Sequence, residues 1–154
     1  MKLQLTEPER NLALLWVAAT TVGWAIGFFV CEQLTGFFAQ FAHLGGDGLV
    51  IGAGIGIAQG IVLRRRISHK GWWWLVSSLG FGAGKVLGEA ATQAMPTAVG
   101  HLLTGAIIGL AVGAAQWLLL RRHVRASESW IVANVVGWAV GWTGGALNEP
   151  DRSR

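Results

Sequence analysis

Slid against itself by 57 residues, the chain repeats. Trp16, Trp73 and Trp130 fall on one another, as do Gly23, Gly80 and Gly137, and then Gly27, Gly84 and Gly141. The aromatic position next to the first glycine reads Trp24, Phe81 and Trp138, and the polar position four residues past the first Trp reads Thr20, Ser77 and Asn134. The shared pattern is W-x6-G-[WF]-x2-G. A second set obeys the same offset: Gly48, Gly52, Gly56, Gln59, Leu63, Arg64 and Arg65 align with Gly105, Gly109, Gly113, Gln116, Leu120, Arg121 and Arg122. Glu32 also aligns with Glu89. Composition alone does not place rare Trp and Gln at one offset, and self-similarity of this length marks a repeated supersecondary unit.

The unit is apolar. Hydrophobic residues make up 53% of the chain and charged residues 13%, against about 25% charged in an ordinary soluble domain. That excludes a disordered chain, a coiled coil and a nucleic-acid-binding tail, and one small core cannot hide so much apolar surface. Lipid can. Five apolar segments run over about 11–31, 46–63, 71–91, 99–120 and 129–147. A helix needs about 20 residues to cross a hydrocarbon layer, with about 17 the lower limit. The second and fifth segments are near that limit, so four spans plus one shallow or tilted segment stays open. The first is too long for a signal-peptide core and has no small-residue cleavage site, which predicts a retained helix.

The expected fold is therefore an all-α integral membrane bundle of about five transmembrane helices in a single membrane domain, 1–154. Each repeat unit holds two spans, so successive units are parallel, unlike the inverted repeats of many secondary transporters. Unit 1 covers about 11–67, unit 2 about 68–124, and a half unit about 125–147. A half unit leaves one helix without its usual partner, which predicts a lateral contact with another subunit.

Net charge is +4 and the pI about 10.2, but the position of the cations argues against a nucleic-acid partner. With the N-terminus inside, Lys2, Arg10, Arg64, Arg65, Arg66, Lys70, Arg121, Arg122 and Arg125 all fall on the cytoplasmic side, and only Arg152 and Arg154 fall outside. This positive-inside asymmetry predicts a cytoplasmic N-terminus and an external C-terminus. Trp16, Trp72, Trp73, Trp74, Trp117 and Trp130 are expected near the cytoplasmic ends, where indoles favour the headgroup level. Leu34, Phe37, Phe38, Phe41 and Leu44 have helical spacing and read either as an interfacial helix or as an extension of the first span. Lone Cys31 offers no intramolecular disulfide, and the bulk of Val30 before it argues against lipoprotein processing.

Glycines recur every fourth residue: Gly48, Gly52, Gly56 and Gly60; Gly80, Gly84 and Gly88; Gly105, Gly109 and Gly113; Gly137, Gly141 and Gly145. Each series forms a smooth stripe on one helix face. In lipid, where apolar burial does not drive association, close backbone approach along such a glycine zipper does. Seating a flat pigment, quinone or lipid is the other use of such a stripe.

Lys85 and Glu89 are the charged residues well inside a span, four apart on one face. They read as an intramembrane ion pair, or as ion, proton or ligand contacts. Gln59 and Gln116 are expected to bond across helices to Thr20, Ser77 or Asn134, a polar packing rung that sets register. Of the histidines, His43 and His101 fall on the outer side and could serve as axial ligands to a pigment; none has metal-ligand spacing. The runs Gly52–Gly56 and Gly80–Gly84 lie inside apolar helices with no strand before them and no suitably placed Lys or Ser after them, which a phosphate loop requires. No catalytic constellation of Ser, Cys, His or paired carboxylates is present, so no enzymatic activity is expected.

The signatures G-x-x-x-G-x-x-Q-x-x-x-L-R-R and W-x6-G-[WF]-x2-G resemble those of small Gly- and Trp-rich multi-pass membrane proteins of bacteria, over about Trp16 to Gly145. The resemblance implies a bacterial inner-membrane location and transfers no ligand or catalytic residue. The expected role is a structural or accessory subunit packing against other membrane proteins or itself. The alternatives are a small transporter or channel component, and a pigment- or quinone-associated subunit of a photosynthetic or respiratory complex.

Overall fold

The computed structural model describes residues 7–34, 36, 45–64, 70–121 and 128–147. Among the described residues there are five α-helices: α1 (Glu7–Gln33), α2 (Gly46–Leu63), α3 (Trp73–Thr92), α4 (Thr97–Leu120) and α5 (Ser129–Leu147). A 3-10 turn over Lys70–Trp72 leads into α3, and the described residues contain no strand. Among the described residues three helices are long and apolar enough to cross a membrane: α1 from Arg10 onward, α2 and α4. α3 has the length but carries Ser77, Ser78, Lys85 and Glu89, while Trp, Asn, Thr and Gly dilute α5. The proposed interfacial stretch lies outside the described residues over 37–44 and so does His43, as do the cations Arg65, Arg66, Arg122 and Arg125.

Helix ends follow local chemistry. α1 begins a turn before the apolar run, with Arg10 3.8 Å from Glu7 across that first turn. Gly45 caps α2 with φ 71°, and a Cβ there would also lie 2.8 Å from the Gly82 carbonyl. Both demands select glycine. Pro96 closes the turn after α3 in an extended conformation and opens α4, its carbonyl accepting from the Gly100 N–H at 2.8 Å.

Each helix packs antiparallel on its sequence neighbours, and the contacts recur 57 residues on. Gly23 and Gly27 of α1 meet Ile55 and Ile51 of α2; Gly80 and Gly84 of α3 meet Val112 and Ile108 of α4. Similarly, Gly52 and Gly56 of α2 meet Ser78 and Trp74 of α3, while Gly109 and Gly113 of α4 meet Val135 and Ile131 of α5. A Cβ on Gly23, Gly56 or Gly84 would lie 2.6, 2.6 or 2.7 Å from the neighbouring backbone, so these stripes are closed to any larger residue.

The parallel helices α1, α3 and α5 meet through aromatic rings. Trp16, Trp73 and Trp130 form a triangle of edge-on contacts with centroids 5.0, 5.9 and 6.3 Å apart. About two turns further along, Phe81 sits edge-on to Trp138 at 4.9 Å. These three indoles therefore turn into the bundle: Trp73 is 1% exposed, and the rings fill the space where three helices converge. Trp72 and Trp74 are exposed.

The distribution of polarity is inverted relative to a water-soluble domain. Gln59, Ser77, Ser78, Thr104 and Gln116 are buried, while Leu14, Val22, Ile26 and Phe29 of α1 and Val132, Val136 and Val140 of α5 face outward. The apolar core is small, with Ile51, Ile55, Phe81, Ile108 and Val112 as its centre.

Candidate functional site: a polar rung and an open groove

Two buried glutamines organise the rung. The Gln59 amide donates to Thr20 Oγ1 at 2.9 Å, and the Gln116 amide donates to Ser77 Oγ at 2.9 Å, each pair joining a helix to the one before it. Their carbonyl oxygens take indole protons from the following odd helix: Trp73 Nε1–H donates to Gln59 at 3.1 Å and Trp130 Nε1–H to Gln116 at 2.9 Å. The second proton of the Gln116 amide reaches Gln59 Oε1 at 3.1 Å, fusing the two sets. Asn134 stands apart, donating instead to the Trp130 carbonyl of its own helix at 2.9 Å. The indole donors were missed from sequence, although each follows its glutamine by 14 residues in both units.

Lys85 lies 2.8 Å from Glu89 and also 3.0 Å from Asp47 at the start of α2. Asp47 in turn accepts from the Gly48 N–H at 2.8 Å. The lysine stem runs along Gly48, where a Cβ would lie 3.3 Å from Lys85 Cδ, a tight contact. Sequence reading found one carboxylate of the two, because Asp47 lies at a helix start and its repeat counterpart is Thr104. That threonine meets Thr92 through a 2.8 Å hydroxyl pair. Cys31 takes the position of Gly88 in the repeat and directs its thiol to the Asp47 carbonyl at 3.6 Å.

A groove of about 620 Å³ opens between α1 and α5. Thr20, Thr21, Trp24 and Phe28 form one wall; Trp138, Gly141, Trp142 and Gly145 form the other, with His101 of α4 at its edge. Gly137 and Gly141, expected to be packing glycines, have no heavy atom from another part of the described fold within 4 Å of a modest side chain placed there. Their counterparts Gly80 and Gly84 are covered by α4, the helix that follows α3, and no described helix follows α5. Among the described residues no group of three or more His, Cys, Asp or Glu side chains could hold a metal ion. Compared with known protein families, curated proteins and solved structures, the chain finds no match.

Proposed function

We propose that the chain is a five-span, non-enzymatic protein of the bacterial inner membrane, built from parallel two-helix units and serving as a structural or accessory subunit beside other membrane proteins. Lipid tails cover the outward residues of α1 and α5 without the penalty that water would exact. The cytoplasmic N-terminus and external C-terminus follow from the placement of lysine and arginine.

The observation that carries the accessory role is how the interior polar groups are used. Gln59, Gln116, Thr20, Ser77, Trp73 and Trp130 bond to one another, and Lys85 is held between two carboxylates. Groups bonded this way fix register and rigidity. A conduction path needs groups free to exchange partners with what passes. Mild detergent extraction should bring down stoichiometric membrane partners; a strictly monomeric, partner-free chain in native membranes would overturn the proposal. Combining Lys85→Met, Glu89→Leu and Asp47→Asn should leave assembly intact, whereas loss of a measured flux through an assembled protein would favour a transporter or channel component. A second reading, a pigment- or quinone-associated subunit, draws on His101 and the four rings lining the groove. Visible absorbance of the purified protein tests it.

A further inference from the structure

We propose that the groove between α1 and α5 is the seat of a sixth helix supplied by a partner chain. That helix carries small residues at four-residue steps and an amide side chain three residues after the last of them, and it runs in the direction of α2 and α4. The proposal rests on the two-helix-unit reading above.

Both even helices occupy one kind of place. α2 lies between α1 and α3, and α4 between α3 and α5, each touching one odd helix along its glycine stripe and the next along its hydroxyl and aromatic face. On α3 the stripe Gly80, Gly84 and Gly88 receives α4; at the same positions on α5, Gly137, Gly141 and Gly145, a Cβ would meet nothing within 4 Å among the described residues. On α3 the face Ser77, Ser78 and Phe81 receives α2. Its counterparts on α1 are Thr20, Thr21 and Trp24, and they line the groove. The two open faces bound a single space, so one helix closes both.

The polar register identifies the occupant. In each filled place a glutamine accepts from the indole of the next odd helix and donates to the polar side chain of the odd helix before it. At the open place the corresponding groups are the Trp16 indole and Asn134. No hydrogen bond from the Trp16 N–H is found among the described residues, and the Asn134 amide is bonded only within its own helix. An amide at the level of Gln59 and Gln116 would satisfy both. A second copy of this chain cannot provide that helix without dismantling itself, since α2 and α4, which bear the pattern, are each already held between two neighbours. A flat pigment would use the rings but leave the amide level unmatched.

The test uses the full chain in phosphatidylcholine vesicles and a synthetic peptide of the α4 sequence, Thr97–Leu120, which holds Gly105, Gly109, Gly113 and Gln116 in the required register. Dye-to-dye energy transfer should report binding of one peptide per chain. Gly141→Leu in the chain should weaken binding about tenfold or more while leaving helix content and the thermal midpoint unchanged, because among the described residues nothing lies within 4 Å of a Cβ placed there. Gln116→Leu in the peptide should weaken binding about threefold to tenfold, the contribution of an interhelical hydrogen bond in lipid. Peptide binding that ignores Gly141→Leu, or no binding at all, overturns the proposal. So does a coloured cofactor that copurifies with the chain and is lost from Gly141→Leu. Gly84→Leu separates the two levels: it should damage the fold, and if it is harmless the two-helix-unit reading itself fails. Damage by Gly84→Leu without peptide binding refutes the sixth helix alone.

Discussion

The amide of Gln116 reaches side chains on three other helices, Gln59, Ser77 and Trp130, from a position that is 1% exposed. Gln59 does the same with Thr20, Trp73 and Gln116. Gln116→Leu keeps most of the volume and strands those partners, at a cost of about 2 kcal/mol in a membrane interior. Gln59→Leu should cost a similar amount. Because the two share one bond, the double variant should fall short of the sum by about 0.5 kcal/mol or more, measured by unfolding in detergent. Strict additivity would mean that the bond between the glutamines contributes nothing. The pairs with Thr20 and Ser77 were legible in the sequence, because the repeat placed each polar residue opposite its glutamine's helix. The indole donors were not. Hydropathy draws tryptophan to the headgroup level and says nothing about which side of a helix faces its parallel neighbours. Asp47 escaped for another reason, since its repeat counterpart is Thr104 and a carboxylate present in one unit alone gives no periodic signal.

At the scale of the element, helix bounds were the most legible feature. The bounds of α2 coincide with its apolar segment, while α1 starts four residues earlier than its segment because Glu7 and Arg10 continue the helix in polar form. Glycine spacing showed which face is smooth and could not show which faces are covered. Gly109 and Gly137 make the contrast measurable. A Cβ on Gly109 would run into the Asn134 carbonyl, whereas one on Gly137 meets nothing within 4 Å among the described residues. Gly109→Ala should therefore destabilise by about 1–3 kcal/mol, as overpacking does, and Gly137→Ala should stay within about 0.5 kcal/mol of the parent. Thermal unfolding of the two purified variants side by side decides this. Equal effects would mean that α4 and α5 do not approach as closely as described.

For the whole molecule, contacts join each helix chiefly to its sequence neighbours, with the aromatic triangle drawing the odd helices together. Such local connectivity lets the bundle form by addition of successive hairpins and carries a low loop-closure cost. The proposed odd number of spans makes a prediction about the two ends. Reporter fusions at residue 1 and residue 154 should fall on opposite sides of the membrane, the first in the cytoplasm; both on one side would reduce the count to four or change a span into a surface helix. Sequence reading reached the all-helical fold and the positions of the five helices because long apolar runs bounded by polar residues mark them. It did not reach the groove, whose shape depends on how two helices distant in sequence come to stand beside each other.

The three indoles that meet at 5.0, 5.9 and 6.3 Å have an optical consequence. Chromophores at such separations, turned nearly edge-on to one another, share their excited states, and their combined near-ultraviolet circular dichroism differs from that of three isolated rings. Each ring belongs to a different odd helix, so the signal depends on how those three helices stand relative to one another. The molecule thus carries an unlabelled gauge of its own assembly, able to register any spreading of α1 from α5.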